Sequence, residues 1–569
     1  MKNEKRKILS WQENILGGFQ PYLLIAMVIF LIYFQTLFFD FSYLDDNSLI
    51  LDNAGFIGNL GNFFQAFRED VFLSFADAYY RPIMTISLML DAQFSGTHPF
   101  FFHFSNLAIH ILAACLVFSV LAQMKYRRDV SLFLALVFAV HPVLSQTVAW
   151  IPGRNDSLLA VFVLAGFWYF LKFLETRNKK YLVGNLIFFT LGVFTKETAV
   201  MLPVVEAVYL FFLRKDKKFI FNEKWIWIGS GGVAIIWFLM RRWAFINPIE
   251  MPLCDLVFSV WKNSPAMVQF LGKIFFPFNL SVLPIIEDTT FWLGSLAIII
   301  WLSLLFFTKE KKWAAWVFGA FWFLVFLLPS FVRPNAEIVA DFIEHRLYLP
   351  IFGLFIILLE TDWLRRYTWE KKIWLWGSAI FLIFLSGMTF WHSRNFQDRM
   401  SFWQDARTHS PHSPLAHRNL GAMLFLDGKF DQAEPEFQEA LRLNPSEQMA
   451  HNNLGLIYMK RGEMEKSELE FKKELEINPF YDAAHFNLGL LYYQLSRKDE
   501  AGVLWQKTLE INYNYGDAWR NLAILYYEKK NLSEATKFAK EAYLRGVQLP
   551  PELIKLLEVP TVPGMLLKK

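Results

Sequence analysis

The strongest constraint on this chain is a series of long apolar runs separated by loops of alternating charge. The first run, PYLLIAMVIFLIYFQTLFF, follows a basic segment, MKNEKRK. It is long enough to span a bilayer and leads into Phe38-Phe39-Asp40 rather than a small-residue cleavage site, so it reads as an uncleaved first helix. Ten further runs lie near 100–122, 130–149, 157–173, 181–196, 198–213, 225–240, 291–307, 313–331, 347–360 and 373–391, which predicts about eleven transmembrane helices. Lys and Arg resist translocation. With residues 1–7 cytoplasmic, alternation places MKYRRD, ETRNKK, RKDKK, TKEKK and DWLRRYTWEKK on the same side, and every one is basic. This holds if 244–290 makes no net crossing, so that segment is expected to be an external loop with an interfacial helix over 259–276. A composition of 55% hydrophobic residues, with 61 Phe, agrees with a membrane protein. The net charge of +4 is too small for the length to argue for a nucleic-acid partner. Two distant cysteines, Cys115 and Cys254, cannot build a disulfide framework.

After residue 391 the chain becomes charged and repetitive. Asn-Leu-Gly recurs at Asn419, Asn453 and Asn487, and Asn521 opens Asn-Leu-Ala, each 34 residues on. Ala433, Ser467, Ala501 and Ala535 keep the same period, as do the Asn-Pro pairs at Asn444 and Asn478. A 34-residue period with small residues where paired helices touch marks tetratricopeptide repeats, here four over 415–548. The expected division is a membrane domain, 1–391, and a repeat domain, 392–569, that emerges outside the cytoplasm.

The same alternation gathers the polar motifs on the outer face. YLDDN puts Asp45 and Asp46 just past the first helix. They are either a capped turn or a general base, since an ionised carboxylate can take a proton from a hydroxyl. Arg81, in YYRP, is either an interfacial anchor or a phosphate ligand. His103, Asn106 and His110 share one helix face, where hydrogen bonding between helices outweighs metal ligation. HPVLSQTVAWIPGRND carries His141, Arg154, Asn155 and Asp156; a turn at Pro152-Gly153 and an Asp or Ser helix cap explain much of it but not Arg154. Lys196 and Glu197, in TKET, are costly at membrane depth; they either face a cavity or pair with each other. EHRLYLP packs Glu344, His345 and Arg346 together, which favours a site over a charged helix edge. GSGGVA, at 229–234, reads as close helix packing rather than nucleotide binding.

In order along the chain, the aspartate pair, YRPI, HPFFFHFSNLAIH, HPVLSQTVAWIPGRND, TKE, FFPFNLS, EHRLYLP and the repeats resemble the transmembrane and tetratricopeptide-repeat protein O-mannosyltransferases, and their bacterial relatives, of the GT-C superfamily. The resemblance covers nearly the whole chain. This chain has Glu344-His345-Arg346 where family members often have Glu-Arg. The resemblance implies an all-α GT-C membrane bundle followed by an α-solenoid. It also implies a glycosyltransferase that moves mannose or another hexose from a polyprenyl-phosphate carrier to a protein or peptide hydroxyl, with the repeats recruiting the acceptor. It points to Asp45 and Asp46 as catalytic. Arg81, Arg154, Lys196, Glu344, His345 and Arg346 are then expected at the lipid phosphate, with His103, Asn106, His110, His141 and Glu197 in support. A divalent cation, Mg²⁺ or Mn²⁺, on Asp45 and Asp46 is left open. A bacterial inner-membrane protein with a cytoplasmic N-terminus and periplasmic repeats is the expected setting. Rival readings are a membrane-anchored repeat scaffold for envelope complexes and a GT-C enzyme acting on a lipid or glycan.

Overall fold

The computed structural model describes residues 15–73, 79–216, 223–245, 252–332 and 342–557. Two compact units divide between Pro411 and His412.

All regular elements of the first unit are helical among the described residues. Its principal helices are α1 (Gln20–Tyr33), α2 (Pro82–Ser95), α3 (Phe100–Gln123), α4 (Arg128–Val140), α5 (Arg154–Thr176), α6 (Lys179–Val193), α7 (Leu202–Tyr209), α8 (Lys224–Ala244), α9 (Leu253–Asn263), α10 (Ala266–Phe275), α11 (Trp292–Phe307), α12 (Trp313–Leu327), α13 (Ile351–Leu359), α14 (Lys372–Ser393) and α15 (Arg399–His409). Among the described residues, five helical stretches are long and apolar enough to span a membrane, or six if the bent pair Arg128–Val140 and Pro142–Ala149 counts as one. The eleven expected spans are therefore not all present as full-length helices. At 1.5 Å per residue, the 15 residues of α6 reach about 22 Å against a hydrocarbon core of about 30 Å. The next run is broken into a 3₁₀ turn, Glu197–Met201, the eight residues of α7 and a π turn, Leu210–Arg214. α8 is long enough, but its Trp, Gly and Arg residues lower its mean hydropathy. Within its GSGGVA motif, Gly229 packs on Leu186, while a Cβ on Gly231 or Gly232 would meet nothing within 4 Å.

The bend after α4 has a local cause. His141 precedes Pro142, and a residue before proline is pushed out of the helical region. Its backbone is extended, with ψ at 124°, and the two helical arms meet at 56°. The carbonyls released by the break find side chains: Ala139 O lies 3.0 Å from His110 Nε2, and Thr389 Oγ1 of α14 donates to Val140 O at 2.6 Å.

The expected interfacial helix is two helices, α9 and α10, separated at Ser264-Pro265. α9 turns Ser259 and Asn263 inward, where both donate to Phe331 O, and leaves Leu253, Phe258 and Trp261 exposed. An apolar outer face on a short helix suits the membrane boundary. The 40–99 loop is a folded module. Phe41, Leu49, Ile50, Ile57, Met84 and Met89 form its core, closed by Phe102 of α3.

The first unit extends beyond the expected boundary at 391, because α15 packs within it. Asp405 accepts Val282 N at 3.0 Å, and Ser410 Oγ donates to Leu283 O at 2.7 Å.

The second unit holds four helix pairs: α16 (Pro414–Leu426) and α17 (Phe430–Leu443), α18 (Ala450–Arg461) and α19 (Met464–Ile477), α20 (Asp482–Gln494) and α21 (Lys498–Ile511), and α22 (Gly516–Glu528) and α23 (Leu532–Leu544). In the first three pairs a glycine receives an aromatic ring. A Cβ on Gly421 would lie 3.0 Å from Phe437, on Gly455 2.7 Å from Phe471, and on Gly489 2.6 Å from Trp505. In the fourth pair both positions are alanine, Ala523 and Ala539.

Candidate functional site

A charged cavity of about 330 Å³ opens where several of the motifs expected on the outer face converge. It is lined from the 40–99 module by Asp45, Tyr79 and Arg81, from the turn before α5 by Trp150, from the first turn of α5 by Asn155 and Asp156, from the turn before α7 by Lys196 and Glu197, and from the turn before α13 by His345 and Arg346.

The two aspartates part company. Asp45 faces the cavity. Asp46 is 2% exposed and turned into its own loop, where Ser42 N (2.6 Å), Ser42 Oγ (2.8 Å) and Leu44 N (3.3 Å) donate to it. Burial raises its pKa, and the Ser42 bonds only partly oppose that. Asp46 therefore shapes the turn that presents Asp45.

The cavity wall is a chain of ion pairs. Arg81 donates to Glu197 at 3.1 Å, and its guanidinium lies 4.3 Å from the Tyr79 ring. Lys196 donates to both oxygens of Asp156, at 2.9 and 2.8 Å. Asp156 also lies 3.6 Å from His345 Nε2, and the His345 ring packs 5.4 Å from Trp150. Lys196 and Glu197, open to pairing with each other on sequence grounds, are each held by a different partner.

Six expected donor-binding or supporting residues lie elsewhere: Arg154, Glu344, His141, His103, Asn106 and His110. Arg154 is fully buried and does not line the cavity. It pairs with Asp91 at 2.6 Å and donates to Asn106 Oδ1 at 2.7 Å and Phe102 O at 2.6 Å. Residues two apart on a helix point about 200° apart, so the start of α5 sends Arg154 into the bundle and Asp156 to the cavity. Glu344 is likewise buried and absent from the lining. It pairs with Lys273 at 2.9 Å, accepts Ser281 N at 3.1 Å and lies 3.4 Å from His392. It anchors the turn whose next two residues, His345 and Arg346, do reach the cavity. His141 is turned to Ile274 O, 2.9 Å away. His103, Asn106 and His110 are all buried in the bundle. Asn106 donates to the carbonyls of Val148, Trp150 and Ile151, His110 meets Tyr348 Oη at 2.6 Å, and His103 packs on Phe39.

Asp156, Trp150 and Tyr79 were not singled out as site residues. The signal for Asp156 was its offset of two from Arg154 at a helix start. Tyr79 and Trp150 lie inside the YYRP and HPVLSQTVAWIPGRND motifs, but no spacing or charge marks them out within those motifs.

Among the described residues no group of three or more His, Cys, Asp or Glu side chains could hold a metal ion. Asp46 is occupied by its own loop, and no step below is routed through a metal.

Fold and site together define a polytopic membrane unit with a charged cavity, followed in the chain by helical repeats. The chain matches the model of the dolichyl-phosphate-mannose-protein mannosyltransferase family over residues 92–243 and a tetratricopeptide repeat model over 422–482. It is similar to the mouse protein O-mannosyl-transferase TMTC1, 29% identical over 24% of this chain and 16% of that one. It is also similar to the Caenorhabditis elegans protein O-mannosyl-transferase F38B6.6, 22% identical over 74% of this chain and 62% of that one. The chain thus spans less than two thirds of these relatives' lengths. Among solved structures, MamA is 20% identical over 26% of this chain and 86% of that chain, with a TM-score of 0.24.

Proposed function

We propose that the protein is a membrane glycosyltransferase that moves a mannose or another hexose from a polyprenyl-phosphate carrier to a hydroxyl of a protein acceptor, on the extracytoplasmic face. The observation that carries this reading is one cavity shared by the carboxylate of Asp45 and the cations Arg81, Lys196 and Arg346.

Asp45 takes the proton of the acceptor hydroxyl as its oxygen bonds to the anomeric carbon. The bond from that carbon to the phosphate oxygen breaks, and the lipid phosphate leaves with the electron pair. Arg346, Arg81 and Lys196 compensate the charge that grows on it. A single displacement inverts the anomeric centre and needs no second, nucleophilic carboxylate. Asp156 keeps Lys196 and His345 in place. The repeats recruit the acceptor, and the setting is a multi-pass protein, in the inner membrane if the source is bacterial.

The test is sugar transfer by reconstituted Asp45→Asn and Asp46→Asn. Removing a general base should cost about 10²–10⁴-fold in kcat for Asp45→Asn. Asp46→Asn keeps an acceptor oxygen for the turn and should lose much less. Wild-type transfer by a folded Asp45→Asn protein would overturn the assignment. Transfer to lipid or glycan alone would replace the acceptor class.

A further inference from the structure

A second set of cavities lies away from the charged site, at the far end of α13. Pro350 lines the charged cavity, and the nine residues of α13 lead from it to Thr361 and Asp362, which line the other set. There the last two turns of α11 form a ridge with an apolar groove on each flank. One groove, of about 510 Å³, runs between Ile300, Leu304 and Phe307 on the ridge and Trp363 and Trp374 opposite. The other, of about 600 Å³, runs between Leu302 and Phe306 and the start of α12 at Trp313 and Trp316. Both reach Ser303 and Phe307, so they converge. The first continues through Ile300, Leu304 and Trp363 into a deeper apolar cavity of about 280 Å³ walled by Phe133, Phe355 and Phe381.

The convergence point is basic. The segments 308–312 and 360–366 carry Lys309, Lys311, Lys312, Arg365 and Arg366 against Glu310, Glu360 and Asp362. Two of the cations are committed: Lys312 and Arg365 hold Glu360 at 3.1 and 2.8 Å. Two others line the grooves. Lys311 lies over the Phe306 ring at 5.4 Å. Arg366 has a side chain 68% exposed, with Asp362 no nearer than 3.8 Å. Trp313 and Trp363, both exposed, flank the grooves at this end, as indole rings do at the headgroup level.

We propose that this is a binding site for an anionic phospholipid. Its two acyl chains fill the paired grooves on either side of α11, and its phosphate is held by Lys311 and Arg366. Two grooves meeting at one basic point suit a two-chain lipid, and the charge excess selects an anionic headgroup over a zwitterionic one. The ligand is separate from the sugar donor, and the inference stands whether or not the transferase reading does.

The experiment uses the full chain, purified and delipidated in detergent, with phosphatidylglycerol, phosphatidylethanolamine and a polyprenyl phosphate as probes. Lipid retention is read by native mass spectrometry and stabilisation by thermal melting. Phosphatidylglycerol should be retained and raise the melting temperature, and phosphatidylethanolamine should not. At roughly fivefold per basic residue, K311Q/R366Q should weaken retention about 25-fold. High salt should release the lipid from the wild-type protein, which tests the charge contact even if the variant fails to fold. Equal retention of phosphatidylethanolamine, a salt-independent complex, or an unaltered double variant would overturn the site. Displacement of phosphatidylglycerol by equimolar polyprenyl phosphate would make the grooves a carrier site instead.

Discussion

Asp45 and Asp46 are chemically identical and one backbone step apart, yet one lines the cavity and the other is consumed by Ser42 and Leu44. Motif order brought the pair into view; only the loop conformation separates the two roles. The same limit applies to Glu344, whose partners Lys273 and His392 lie 71 residues before it and 48 after it, beyond any local pattern. Burial pushes the Glu344 carboxyl up, but Lys273 and His392 outweigh it and hold it below its ordinary pKa. The folded protein therefore binds that proton less tightly than the unfolded chain. The stabilisation is present above the ordinary carboxylate range near ~4 and is lost as pH falls through the lowered value. Glu344→Gln leaves Lys273 buried without its counter-charge and should cost about 3–5 kcal/mol. Thermal melting in detergent at neutral pH should show a lowered midpoint, and the gap from wild type should narrow in acid. An unchanged midpoint at neutral pH would remove Glu344 as the anchor of the 344–347 turn.

At the scale of the element, repeats were legible and spans less so. The repeat helices declare themselves because Asn, Gly and Ala positions share one register, and each helix pair reproduces the same contact. Apolar runs carry no comparable mark of where a helix stops. Hydropathy reads straight through His141-Pro142 and Leu328–Phe331, where proline or 3₁₀ geometry ends a helix. The glycine–aromatic pairs of the second unit give an element-scale prediction. Alanine is the better helix former by about 1 kcal/mol. Gly455→Ala should nonetheless destabilise the protein by about 1–3 kcal/mol, because its Cβ would press on the Phe471 ring. Thermal melting followed by the tryptophan signal of the repeats would check this; a raised melting point would contradict the packing described. The fourth pair, with alanine at both positions, sets the expectation for a pair that has lost both the hole and the ring.

For the whole molecule, the order of motifs announced a membrane unit followed by repeats, but not where one ends. The helix after the last span, Arg399–His409, is polar on average and reads as part of the soluble region. It belongs to the first unit because Asp405 and Ser410 are tied to Val282 and Leu283. A deletion that tests the proposed acceptor role should therefore begin at residue 412, not 392. Removing 412–569 should abolish transfer to protein while donor hydrolysis by the membrane unit continues; loss of both would show that the repeats serve more than recruitment. The bend at His141 also bears on how the chain is made. The Val140 carbonyl that it exposes is capped by Thr389, 249 residues later. At about 5–20 residues per second, the ribosome delivers that hydroxyl roughly 12–50 s after the bend itself. Until then the carbonyl that Pro142 has already forced open lacks its Thr389 partner, so the kink is set locally and early but sealed late in biogenesis.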